Sequence, residues 1–371
     1  MTENSAILDT MPKLLARNVS KFGDSPAFRE KDLGIWQTWT WKESSEEIQK
    51  LSKGLIKLGV QEGDHVAVIG RNRPSLYWSL LACQHIGAIP VPLYQDAVAE
   101  EMEYILSHCG ACFAIVGDQE QVDKILEISV RLKGFKDIVF VDPKGLRKYD
   151  NKNLHSLADI LEIGSSDSAE LDKELNSRVE KVTGDTTCVL LYTSGTTGKS
   201  KGVVQTHRAI IGASGGANQH DSWTHDDYLL SYLPMAWVGD FMISVAQGMG
   251  AGACINCPEG AETMQVDLRE IGPSIFFGPP PLWERLKTSV FIRIEDAAFF
   301  KKAAFNYFMA HAEKVGRDIL EKRKVGLFDR MKYSLGNFLI YAPLKNMLGF
   351  SNVRIALSLI HISEPTRPVM I

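Results

Sequence analysis

The chain has 371 residues, 45% hydrophobic and 23% charged, with a formal net charge of −4 at pH 7. That is enough for two domains and a large core, and it excludes a general electrostatic attraction to nucleic acid. The start, Met1-Thr2-Glu3-Asn4-Ser5, lacks a basic region followed by an apolar one, and no apolar run reaches the roughly 18 residues of a membrane span, so a cytoplasmic globular protein is expected.

The N-terminal third alternates strand and helix signals. Trp36 to Trp41 alternates like a strand, and Lys42 to Leu58 places Ile48, Leu51, Leu55 and Leu58 at helical spacing before Gly59, an expected C-cap. Asp64 to Ile69 predicts a buried strand, Leu76 to Ile86 a helix and Ile89 to Leu93 an extended segment. Glu100 to Ser107, Phe113 to Val116, Gln121 to Leu132 and Ile138 to Val141 continue the alternation. This order predicts α/β architecture with a parallel, doubly wound sheet. Residues 142 to 180 are polar, centred on Gly164-Ser165-Ser166-Asp167-Ser168, and are expected to form a surface connection.

Two C-x-x-C pairs, Cys109/Cys112 and Cys254/Cys257, suggest zinc, but they lie too far apart in the chain for a ribbon. Each adjoins an apolar strand-like run, where cysteine acts as a small hydrophobe.

The sharpest signal begins at Cys188, where Cys188-Val189-Leu190-Leu191-Tyr192 reads as a buried strand. It empties into Thr193-Ser194-Gly195-Thr196-Thr197-Gly198-Lys199, then Ser200-Lys201-Gly202-Val203. Gly195 and Gly198 let the backbone approach a ligand closely, the four hydroxyls and nearby amides donate hydrogen bonds, and Lys199 and Lys201 add positive charge. Such a loop suits a polyanion such as a triphosphate. A P-loop would need glycine at position 193, which is Thr193, and a helix starting at the lysine. Instead Gly202-Val203-Val204 reads as a return strand, and a helix starts only after Thr206 as N-cap.

This stretch resembles the phosphate loop of the adenylate-forming (AMP-binding) superfamily, [YF]-T-S-G-[ST]-T-G-x-P-K-G, with Ser200 in place of the proline. TWTWKESSEEI and LLACQHIGAIPVPL resemble further segments of that family in the same order. Phe276 to Leu286, together with the long insertion from Ile294 to Leu348, resembles its long-chain acyl-CoA synthetases. The resemblance implies two doubly wound, mostly parallel sheets with flanking helices, here an incomplete large N-terminal domain. The expected divisions are 1–180, 181–356 with the phosphate loop and a basic insertion, and 357–371.

By the same resemblance, the protein activates a long-chain fatty acid with ATP to acyl-AMP and pyrophosphate, then transfers the acyl group to coenzyme A. Thr193, Ser194, Gly195, Thr196, Thr197, Gly198, Lys199 and Lys201 would hold the phosphates, and Thr193 would help hold Mg²⁺. Trp237, where the family often has histidine, and Phe241 would wall the acyl pocket, though a plain core tryptophan is an equal reading. In the insertion, Phe305, Phe308, Met309, Ala312, Val315 and Ile319 share one helix face, flanked by Lys314, Arg317 and Lys322 to Lys324. That face suits either packing on its own domain or peripheral contact with anionic membrane through 299–348.

After Ser351 to Ala356 the family's adenine-binding turn is expected, but the chain reads Leu357-Ser358-Leu359-Ile360-His361-Ile362-Ser363-Glu364-Pro365. That string resembles translated sequencing-adapter DNA. We therefore expect a non-native tail, leave His361 and Glu364 out of the chemistry, and expect little ligase activity, because the family's later catalytic segments have no counterpart. Two rival readings are an acid-activating ligase for medium-chain, aryl or amino acids, and a non-catalytic nucleotide-binding module.

Overall fold

The computed structural model describes residues 8–193, 199–321 and 323–358. Its strands are β1 (Pro26–Asp32), β2 (Ile35–Thr40), β3 (His65–Ile69), β4 (Ile89–Leu93), β5 (Phe113–Val116), β6 (Asp137–Phe140), β7 (Leu154–Ser156), β8 (Thr187–Thr193), β9 (Lys201–Thr206), β10 (Tyr228–Leu230), β11 (Cys254–Cys257), β12 (Ile275–Phe277) and β13 (Ile355–Leu357). Contacts divide the chain into two compact units, one ending at Glu259 and one starting at Gly260.

In the first unit, the order β4-β3-β5-β6-β7 forms an all-parallel five-stranded sheet. Its strands are short apolar runs, such as Phe113-Ala114-Ile115-Val116, because helices cover both faces. β1 pairs antiparallel with β2 and parallel with β11, which in turn pairs parallel with β10, so the chain's first strands join strands from beyond residue 227. The sheet pairing thus crosses position 180.

Local chemistry sets the helix ends. Thr40 and Glu43 form a reciprocal capping box at the start of the helix Trp41–Leu58, and Gly59, at φ +101°, closes it in the left-handed region.

Residues 142–180 lie largely at the surface, as expected, but they are more than a connection. They hold β7 and the helices Leu157–Gly164 and Ala169–Lys181. The glycine and serines that read as a break are two helix ends: Gly164 closes one helix, and the Ser168 side chain caps the next by accepting from the Leu171 N–H at 3.3 Å. Gly164 also packs against the helix Trp41–Leu58, where a Cβ would lie 1.8 Å from the Lys50 carbonyl oxygen.

In the second unit, β12 and β13 pair in parallel, Phe277 beside Leu357. The helix Phe299–Leu320 turns Phe305, Phe308 and Val315 inward, and His311 is buried with Nε2 3.0 Å from the Asp329 carbonyl oxygen. The amphipathic face therefore packs on its own unit. The tail expectation beyond Ser358 lies outside the described residues.

Candidate functional site: the β8–β9 hairpin and the segment after β10

β8 and β9 form an antiparallel hairpin in which Leu191 faces Val203, Tyr192 faces Gly202 and Thr193 faces Lys201. Thr206 ends β9 and caps the helix His207–Asp221 by accepting from the Ala209 N–H at 3.2 Å. The hairpin thus brings Thr193, Lys199 and Lys201 to one end, all three exposed. Ser194, Gly195, Thr196, Thr197 and Gly198 lie outside the described residues. Leu190 and Tyr192 sit in the same buried cluster as Val91, Leu93, Met102 and Leu106, so β8 is rooted in the core of the five-stranded sheet.

Trp237 and Phe241 lie on a separate stretch. Trp237 is half-buried and its ring lies over Gly239, where a Cβ would come 2.0 Å from the ring. Phe241 is fully buried and opens a π-helical turn, Phe241–Gln247, a rare geometry that is frequent at functional sites. Between them stands Asp240, buried in a cage of hydroxyls. Tyr77 Oη donates at 2.7 Å to Oδ2, and Ser231 and Ser244 donate at 3.0 and 2.9 Å to Oδ1. Burial pushes this carboxyl up to about 6, against the three donors that favour its charged form. Asn72 fixes the preceding loop, donating to Ser231 Oγ at 2.9 Å and to the Leu233 carbonyl at 2.7 Å.

One helix, Pro74–His85, reaches both regions. Tyr77 holds Asp240, and seven residues on, about 10 Å along the axis, Gln84 donates at 3.0 Å to the Cys188 carbonyl in β8. Tyr77, Asn72 and Asp240 were missed in the sequence. The available signal was a lone acid inside the apolar run Val238-Gly239-Asp240-Phe241-Met242-Ile243.

Among the described residues no group of three His, Cys, Asp or Glu side chains could hold a metal, and the six cysteines are free thiols. Thr193 is the one hydroxyl ligand the resemblance names for Mg²⁺. A single hydroxyl suits an ion carried mainly by substrate phosphates and water.

A family model described as "AMP-binding enzyme" matches residues 15–356. The long-chain-fatty-acid–CoA ligase ACSBG2 of Homo sapiens is 27% identical over 349 residues, 92% of this chain and 51% of that protein. ACSBG1 of Rattus norvegicus is 25% identical over 353 residues, 92% of this chain and 47% of that protein. The chain spans about half the length of the curated relatives it matches. Among solved structures, acetoacetyl-CoA synthetase from Streptomyces lividans superposes with a TM-score of 0.65 at 18% identity, covering 76% of this chain and 44% of that one. ATP-bound MatB from Rhodopseudomonas palustris gives 0.60 at 21% identity, covering 73% and 50%. Sequence and fold agree that this chain belongs to the family of AMP-binding enzymes.

Proposed function

We propose that this chain supplies the nucleotide- and acyl-binding part of an ATP-dependent fatty acid–CoA ligase. A substrate carboxylate oxygen attacks the α-phosphorus of ATP, the bond to the β-phosphate oxygen breaks, and acyl-AMP and pyrophosphate form. The thiolate of coenzyme A then attacks the acyl carbon and AMP leaves. Hydroxyls and amides between Thr193 and Gly198 hold the departing pyrophosphate, and Lys199 and Lys201 balance its growing charge. Thr193 would help hold Mg²⁺, which would supply further charge neutralisation. The role of these groups is to hold reactants in line and neutralise charge, where one lost donor costs about 10²–10³-fold in rate.

The observation that carries this reading is the hairpin itself: Thr193, Lys199 and Lys201 meet at the exposed end of a hairpin whose first strand, β8, is rooted in the core. Calorimetry with Mg·ATP and with pyrophosphate tests it. Binding that weakens in Lys199→Met and Lys201→Met supports the reading, and a folded chain that binds neither ligand refutes it. Binding of fatty acids of graded length, with aryl and amino acids as competitors, separates a long-chain preference from the rival ligases.

Trp237 and Phe241 are proposed to bound the acyl pocket, with Asp240 and Tyr77 setting the turn between them.

We also propose peripheral contact with anionic lipid through 299–348, by a face other than the one the periodicity marked. Phe305 and Phe308 point inward, whereas Phe300, Phe328 and Phe338 are 83%, 88% and 77% exposed. Ten basic residues stand against four acidic ones over this stretch, and each cation near an anionic surface contributes about 1 kcal/mol. Co-sedimentation with phosphatidylserine vesicles, reduced in Phe328→Ser and by high salt, is the expected result. Equal pelleting with neutral vesicles would count against it.

A further inference from the structure

Both stems of the β8–β9 hairpin are held by one turn of the helix Ala99–Cys109. On the incoming stem, Tyr192 Oη lies 2.6 Å from His108 Nδ1, and the two rings meet edge-on at 5.7 Å. On the outgoing stem, Tyr104 Oη donates to the Ser200 carbonyl at 3.1 Å, and Lys199 Nζ stands 5.0 Å from the Tyr104 ring centroid. Tyr104 and His108 are four residues apart, so they share a helix face, and their rings stack with centroids 5.7 Å apart. Tyr192, His108, Tyr104 and Lys199 therefore form a continuous chain of contacts. It runs from the end of β8 to the residue that follows the candidate phosphate loop. Tyr192 is 7% exposed, and burial raises its phenol, which keeps its proton.

We propose that Tyr104 and His108 are positioning residues for this hairpin, an inference that rests on its nucleotide-binding role above. They fix the separation and direction of the two stems, and preorganisation of this kind strengthens binding. The Tyr104 ring steadies the Lys199 ammonium without neutralising it, so the charge stays available to phosphate.

Hydrogen exchange of the peptide Tyr192–Val203, with and without Mg·ATP, tests this alongside Mg·ATP affinity. Tyr104→Phe keeps the ring stack and removes the bond to Ser200, His108→Ala removes the link to Tyr192, and His108→Asn restores a polar atom near the Nδ1 position. The expected result is about five-fold faster exchange in the first two variants, the effect of one ordinary hydrogen bond. Affinity for Mg·ATP should weaken in parallel, and His108→Asn should recover part of both, with exchange in β3 and β5 unchanged. Unaltered hairpin exchange in Tyr104→Phe and His108→Ala overturns the clamp, and faster exchange with undiminished affinity overturns its positioning role in nucleotide binding. A wild-type hairpin that Mg·ATP does not protect overturns the nucleotide reading instead, and the exchange difference between variants still reports whether the stems are clamped.

Discussion

Tyr77 donates a 2.7 Å hydrogen bond to Asp240, tying the helix Pro74–His85 to the turn that opens the π-helical stretch. Both groups are buried, Tyr77 at 1% and Asp240 at 2% exposure. Ser231 and Ser244 occupy the other carboxylate oxygen, so Asp240 organises three hydroxyls from three places in the chain.

Replacing Tyr77 by Phe removes one donor to that carboxylate, a bond worth about 1.5–3 kcal/mol when the acceptor is charged and about 1 kcal/mol when it is neutral. Because burial raises the Asp240 carboxyl to about 6, the acceptor is charged at pH 8 and largely neutral at pH 5. Urea denaturation should show the larger loss for Tyr77→Phe at pH 8. An equal loss at both pH values would place the carboxylate's ionisation outside this range.

Stability should fall on acidification through His85 and His207. Burial holds both at about 4, well below the usual imidazole value. His207 Nδ1 accepts from the Met11 N–H at 3.3 Å, and its buried Nε2 has no hydrogen-bond partner among the described residues. A histidine with a lowered folded pKa contributes stability that is present above about 6.5 and lost between 6.5 and 4, with a slope of about 1.4 kcal/mol per pH unit per proton. Asp240 has the opposite sign: its raised carboxyl favours the folded state at low pH, an advantage lost as pH rises from 3.8 to about 6. Two histidines outweigh one aspartate, so the net trend is loss in acid. His207→Gln should flatten the dependence of the denaturation midpoint on pH, and Asp240→Asn should steepen it.

Gly54 and Gly164 let two helices touch backbone to backbone. A Cβ at Gly54 would lie 2.2 Å from the Ile160 carbonyl oxygen, whereas Gly212, on the exposed face of the helix His207–Asp221, has nothing within 4 Å. Gly54→Ala should destabilise the protein by about 1–3 kcal/mol through overpacking. Gly212→Ala should stabilise it by roughly 0.5–1 kcal/mol by removing a flexible helix position. Thermal melts of the two variants should move in opposite directions.

Gly239→Ala drives a methyl group into the Trp237 ring. The ring must leave its place, so the tryptophan emission should shift, and the dissociation constant for a fatty acid should change several-fold while that for Mg·ATP holds. A parallel change in both constants would mean that Trp237 supports the whole site and not the acyl pocket.

Elements that depend on neighbours a few residues away were legible in the chain. The helix Trp41–Leu58 with its Gly59 cap, the short apolar strands, and the hairpin with Thr206 closing it all follow from side-chain spacing and cap chemistry. The phosphate-loop composition pointed to its family for the same reason. β7 was not legible, because three residues, Leu154-His155-Ser156, carry no period, and pairing with β6 alone makes them a strand.

The sequence by itself determined the alternation of elements, the hairpin and the family, since each rests on local order along the chain. Only the tertiary structure decided that Phe28 lies beside Ile255, that Asp240 is caged by Tyr77, Ser231 and Ser244, and that Tyr104 and His108 clasp the stems of the loop. Apart from Asp240 with Ser231 and Ser244, those pairings join residues far apart in the chain, and they exist only once burial of the sheets' apolar faces has brought them together.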